Sequence, residues 1–151
     1  MRVVYQRVKR AACRVDGAVT GEIGPGLLVF LGIHREDTEA EASWLAGKLV
    51  QVRIFPDAAG QMNRSVRDID GEILLISQFT LYGNLRKGTR PSFNRSAGPD
   101  RAVPLYERTG RLLEAELGRP LAWGRFGADM QIEAHNDGPV TGIIDTHDKR
   151  F

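Results

Sequence analysis

Between Val3 and Val15 β-branched residues are interleaved with charged ones, and Asp16-Gly17 separates this run from a shorter one, Ala18 to Ile23. Asp-Gly is a preferred pair in two-residue turns because both positions tolerate positive φ, so a β-hairpin is predicted. Gly24-Pro25-Gly26 breaks the chain before Leu27-Leu-Val-Phe-Leu-Gly-Ile33, an unbroken apolar run of strand length. Such a run suits a strand covered on both faces, at the centre of a sheet. Thr38 and Glu41 have capping-box spacing, and Ala42, Leu45, Ala46, Leu49 and Val52 recur at helical intervals, which predicts a helix over residues 39–51. Val52 to Phe55 reads as a short strand stopped by Pro56.

Asp70-Gly71 is a second turn signal, and Glu72 to Tyr82 after it reads as one long strand. Residues 83–99 mix Gly, Arg, Asn, Pro and Ser, and loops longer than about 12–15 residues are commonly functional or disordered. Asp100 can cap a second helix whose apolar stripe runs through Val103, Tyr106, Leu113 and Leu117 and which Gly118 and Pro120 close. Met130, Ile132 and Ala134 mark one more strand and Val140 to Ile144 a last one, with a proline-containing turn between them. The order βββαββαββ predicts an α+β fold: a largely antiparallel, barrel-like sheet with two main helices.

The chain has 151 residues, 42% hydrophobic and 26% charged, which fits one ordinary globular domain spanning residues 1–151. Its single cysteine, Cys13, forms no intrachain disulfide and fits a reducing, cytoplasmic setting. Charge interrupts the apolar residues of the first ten positions, so neither a signal peptide nor a membrane span is expected there. The formal net charge is only +2, but its distribution is uneven. Arg2, Arg7, Lys9, Arg10 and Arg14 occur without an acid among residues 1–14, as do Arg86, Lys87, Arg90 and Arg95 among residues 77–98. Arginine pairs bidentately with phosphate, so a polyanionic partner and a merely solvated basic face are both open readings.

Familiar catalytic signatures are missing: there is no phosphate-binding Gly-x-x-x-x-Gly-Lys, no Gly-x-Ser-x-Gly elbow and no His-Glu-x-x-His helix. His34, His135 and His147 fall in separate segments, and no metal or other cofactor is expected. Cys13 reads as a buried inert thiol, since no base stands near it in sequence. Two segments are chemically suggestive. Ser77-Gln-Phe-Thr-Leu-Tyr-Gly83 places polar residues at the end of an apolar strand, directly before the basic loop. Strand alternation would split Ser77 and Phe79 from Gln78 and Thr80, so either the strand bulges or the backbone matters more than the hydroxyls. His135-Asn-Asp-Gly-Pro-Val-Thr141 is either a simple turn or a rigid device, because X-Pro bonds can be cis and glycine permits unusual angles.

With these segments in place, the chain resembles the D-aminoacyl-tRNA deacylases, which remove D-amino acids from mischarged tRNA. The resemblance runs through Gln6-Arg-Val8, Val15-Asp-Gly17, Gly24 to Gly32, Ser77 to Tyr82, Gly88-Thr-Arg-Pro-Ser-Phe93, Phe126-Gly-Ala-Asp-Met130 and Asn136 to Thr141. Gly83 and Ala134-His135 depart from the family's usual residues. The resemblance implies a homodimer in which Gly138 and Pro139 of one subunit, joined by a cis peptide, enter the partner's site as a chiral gate. It places the catalytic segment at Ser77, Gln78, Phe79 and Thr80, and the adenosine pocket at Phe126, Ala128 and Met130. It also implies hydrolysis assisted by the 2′-hydroxyl of the terminal adenosine, and activity on glycine mischarged onto tRNA(Ala). Arg7, Arg86, Lys87 and Arg90 are the candidates for contact with the RNA backbone; neither DNA nor a membrane is an expected partner. Two rivals stay open, a non-catalytic nucleic-acid-binding module and a metal-assisted hydrolase using His135, His147 and nearby carboxylates.

Overall fold

A computed structural model describes residues 1–148. Strand β1 (Arg2–Val15) is the spine of the molecule. It turns at Asp16 and Gly17, with φ of 51° and 80°, into β2 (Ala18–Ile23), the predicted hairpin. On the same edge, the first half of β1 pairs antiparallel with β3 (Gly26–Gly32). Helix α1 (Glu39–Val50) starts at the predicted capping box, in which Ala40 N–H donates to Thr38 Oγ1 and Thr38 N–H to Glu41 Oε2. The strand expected at residues 52–55 is reduced to β4 (Phe55–Pro56), paired with β5 (Met62–Arg64). Strand β6 (Glu72–Ser77) lies parallel to β3, and β7 (Ala122–Trp123) parallel to β6. Helix α2 (Pro99–Leu117) ends at Gly118 in the left-handed region; its N-cap is Gly98, with Pro99 at the first helical position, in place of Asp100.

The remaining strand, β8 (Gln131–Asp145), corrects the expected final hairpin. It is one strand, antiparallel to β1 along almost its whole length. Between the pairs Gln6↔Thr141 and Arg10↔His135, three residues of β1 face five of β8, so residues 137–140 loop out as a bulge. Two extra residues cannot stay in the ladder, and the chain must leave the sheet there.

The fold is thus α+β, with two helices over a nearly closed, mixed sheet. The side of closure is set by Gly21, where a Cβ would stand 2.7 Å from the Trp123 carbonyl oxygen, so β2 can approach β7 only without a side chain. Alternation along the two central strands divides the core. Leu27, Val29, Leu31, Ile73 and Leu75 pack toward the helices, while Leu28, Leu74 and Ile76 join Val8, Ala11, Cys13 and Ile23 inside the barrel. Both faces of β3 and β6 are therefore apolar, as the unbroken run 27–33 requires. Among the described residues, no helix is long and apolar enough to cross a membrane.

Candidate functional site

The expected strand Glu72 to Tyr82 stops at Ser77. Gln78 still donates its N–H to Leu31 O at 2.8 Å, but Phe79–Tyr82 then form a 3-10 turn. This turn removes the two-face alternation that would have separated the polar residues. The first hydrogen bond of the turn is Leu81 N–H to Gln78 O, at 3.3 Å, so the N–H groups of Phe79 and Thr80 precede it and have no acceptor within the turn. Ser96 Oγ donates to Phe79 O at 2.8 Å, tying the turn to the far end of the basic loop.

Beside it opens a cavity of about 530 Å³. Ser77, Gln78 and Phe79 form one wall, Phe126, Ala128 and Met130 another, and Pro99, Ala102 and Tyr106 of α2 a third. The two segments expected to be catalytic and to receive adenosine, 49 residues apart from Ser77 to Phe126, thus line one space. Thr80 is exposed outside that wall, and its Oγ1 accepts a short hydrogen bond from Gln78 Nε2. No imidazole or carboxylate contacts the hydroxyl among the described residues. Phe79 is 57% exposed and meets Phe93 edge-on at 5.1 Å, leaving an aromatic rim at the mouth.

Tyr106 escaped the sequence reading, which assigned it to the apolar stripe of α2. It is buried, its hydroxyl donates to Leu75 O at 2.8 Å, and its ring packs on Trp123 and Phe126. Burial holds the phenol well above its usual pKa, so it remains a neutral donor. Nothing in a helical stripe distinguishes a tyrosine that fixes a cavity wall from one that fills a core.

Gly138 and Pro139 lie elsewhere, at the crest of the β8 bulge. The bond between them is the one cis peptide among the described residues. They do not line the cavity of their own chain, and both are exposed. Arg7 reaches under the bulge. Its side chain is only 13% exposed, its Nε donates to Asp137 O at 3.0 Å and lies 3.2 Å from Asp137 Oδ2, and Nη1 donates to Ile54 O. With Nε and Nη1 engaged in this way, Arg7 is a strut of the bulge.

Most of the N-terminal basic stretch is paired in the same manner, whereas Arg10 meets only the His135 ring. Arg2 pairs with Asp145 at 2.8 Å and Arg14 with Glu133 at 2.9 Å, while Lys9 stands 3.8 Å from Asp137. Arg86, Lys87, Arg90 and Arg95 have no ion-pair partner among the described residues, so the second basic stretch keeps most of its charge uncompensated. Histidines 135 and 147 do not converge. His135 accepts from Arg10, whereas His147 contacts Asp37 at 2.8 Å, near the Arg2 end of β1; Arg2 and Arg10 are about 27 Å apart along an extended strand. Asp37 is fully buried and satisfied by the Met1 ammonium at 2.6 Å, His34 N–H at 2.6 Å and His147. A buried carboxylate needs such partners, and here they pin the chain's start against the turn before α1.

An apolar cavity thus lies beside a polar strand end, with two N–H groups that have no acceptor within the turn and a basic loop close by. The family model described as D-Tyr-tRNA(Tyr) deacylase matches residues 4–145. Proteins named D-aminoacyl-tRNA deacylase from Opitutus terrae and Dechloromonas aromatica are 53% identical over 147 residues and 51% identical over 146 residues, covering 97% of this chain and 98% and 97% of theirs. A solved structure described as c-Myc DNA Unwinding Element Binding Protein is similar with a TM-score of 0.90 at 38% identity, covering 97% of this chain and 99% of that one. Another, described as a probable eukaryotic D-amino acid tRNA deacylase, shares the fold with a TM-score of 0.81 at 19% identity, covering 95% and 97%. The chain belongs to the D-Tyr-tRNA(Tyr) deacylase family.

Proposed function

We propose that this protein is a carboxylic ester hydrolase that cleaves D-amino acids from tRNA, releasing the free D-amino acid and the tRNA. The observation that carries the reading is the single cavity shared by Ser77, Gln78 and Phe79 with Phe126, Ala128 and Met130. Its volume of about 530 Å³ is in the range of sites that enclose a nucleoside-sized ligand. The terminal adenine packs on Phe126 and Met130, with Ala128 leaving room for the ring. The ester carbonyl then faces the N–H groups of Phe79 and Thr80, which stabilise the oxyanion as it forms. Thr80 supplies its backbone and not a nucleophile, since its hydroxyl has no base. The 2′-hydroxyl of the terminal adenosine helps activate the attacking water instead. Ser77 and Gln78 set the turn that holds these donors.

Selectivity arises in a homodimer, where the exposed Gly138-Pro139 crest of one subunit enters the other's cavity and stands close to the substrate's α-carbon. A wall at that position admits hydrogen and clashes with an L side chain, without recognising the D side chain. Glycine on tRNA(Ala) is achiral and also passes. The single domain, residues 1–151, acts on tRNA in the cytoplasm without a cofactor. The experiment is hydrolysis of matched D- and L-tyrosyl-tRNA. Release of D-tyrosine with L-tyrosyl-tRNA spared is expected; tight binding of both with cleavage of neither would make the protein a non-catalytic RNA-binding module.

A further inference from the structure

A second concavity, of about 260 Å³, lies at the other end of the 3-10 turn, and Arg2, Tyr82, Asn84, Arg86 and Arg95 line it. Three arginines line this small space, and no aspartate or glutamate is in its wall. Arg2 is fixed there. It bonds to Asp145 Oδ2 at 2.8 Å and to Leu81 O at 2.9 Å, and its guanidinium carbon is 5.0 Å from the centre of the Tyr82 ring. Asp145 neutralises Arg2, but Arg86 and Arg95 have no ion-pair partner among the described residues. Their backbone is held in place all the same. Asn84 and Ser92 exchange two backbone hydrogen bonds at 2.9 and 3.0 Å, Asn84 Oδ1 accepts from Arg86 N–H at 2.9 Å, and Arg95 O accepts from Arg35 N–H at 3.0 Å. Two arginines without a carboxylate partner among the described residues, their backbone anchored beside a third arginine, give the pocket a positive character suited to an anion. The planar fork of arginine matches the oxygens of a phosphate.

We propose that this pocket binds a phosphodiester of the RNA strand next to the terminal adenosine, an inference that rests on the deacylase reading above. The turn supplies the register. Phe79 is in the wall of the cavity and Tyr82 in the wall of the pocket, and three residues of 3-10 helix span about 6 Å. An RNA whose terminal nucleoside occupies the cavity therefore has its adjoining backbone within reach of the arginines. Arg86 and Arg95 act as positioning residues: binding energy gained at the phosphate, away from the reacting ester, holds the strand in register. Arg2 contributes by fixing the Tyr82 wall.

The test measures binding, so it does not depend on turnover. Both arginines are exposed, and the double variant R86A/R95A is compared with the unmodified protein by fluorescence anisotropy on the trinucleotide CCA and by equilibrium dialysis on adenosine, which carries no phosphate. The affinity for CCA is expected to fall about tenfold or more, the scale of one lost charge-assisted contact. The salt dependence of log K should flatten by about 0.7, the value for one phosphate of a single strand. An equal loss on CCA and adenosine would overturn the proposal, because the arginines would then be shaping the cavity and not holding a phosphate. Inorganic phosphate is the third arm. Millimolar phosphate should compete weakly, whereas phosphate binding that R86A/R95A abolishes with CCA affinity intact would assign the pocket to the free anion and overturn the RNA assignment. Failure of the deacylase reading shows separately, as no cleavage of D-tyrosyl-tRNA.

Discussion

Arg7→Ala tests whether the Gly138-Pro139 crest must be held rigidly to discriminate between enantiomers. The substitution removes the donors to Asp137 O and Ile54 O and the 3.2 Å ion pair with Asp137 Oδ2. Hydrogen bonds to a charged group contribute roughly 1.5–3 kcal/mol each, and the two carbonyls are only part-buried, so water recovers some of the loss. Asp137 is 34% exposed, which screens the ion pair further. A net cost of about 2–3 kcal/mol follows, or a fall of about 4–12 °C in Tm for a chain of this length. Because the lost bonds are those that fix the bulge, the crest should loosen before the sheet does. The assay is thermal unfolding together with initial rates on D- and L-alanyl-tRNA. The variant should remain folded at 25 °C, lose stability by the stated amount, and lose most of its preference for the D ester. A destabilised variant whose D-to-L rate ratio equals that of the unmodified enzyme would refute the role of the crest as a stereochemical wall. An unchanged Tm would refute the strut.

Thr80→Ala should retain substantial deacylation, whereas tRNA ending in 2′-deoxyadenosine should react poorly; a loss of about 10⁴-fold in the variant with folding intact would instead mark the hydroxyl as a nucleophile. Tyr82→Phe should leave Tm unchanged or raise it by a few degrees, because the buried hydroxyl has no hydrogen-bond partner among the described residues and an unsatisfied buried group costs about 1–3 kcal/mol. Gly110→Ala should lower the urea midpoint markedly, since its Cβ would stand 1.8 Å from the Trp123 ring and overpacking costs about 1–3 kcal/mol or more; an unchanged midpoint would contradict the helix–sheet packing. Burial, and then the neighbouring His147, hold the His34 imidazole below the usual histidine range, so the unfolded chain binds the extra proton first. Stability should therefore decline as pH falls below about 6.5, the ordinary histidine value, and His34→Gln should flatten that decline in a Tm-against-pH series.

Local signals in the sequence act over a few residues, and those determined their elements directly. Asp16-Gly17 dictates a turn because both residues accept positive φ, and Thr38 with Glu41 fixes where α1 begins because their side chains satisfy its first N–H groups. The apolar run 27–33 required a strand covered on both faces. The Ser77–Thr80 and Phe126–Met130 segments could be marked as chemical, but not as neighbours. Only tertiary structure decided whether residues 131–145 form two strands or one, since period-two patterning is identical in both cases and the long partner β1 is what keeps the ladder in line past the bulge. Likewise, the end of β6 at Ser77 depends on where β3 stops offering partners, not on the residues of the turn, whose Phe, Thr and Tyr favour strands. Charge shows the same division. Arg2, Arg7 and Arg14 look as available in sequence as Arg86 and Arg95, but their partners Asp145, Asp137 and Glu133 come from the opposite end of the chain. Such pairing is a property of strand register, and register is set only when distant segments meet.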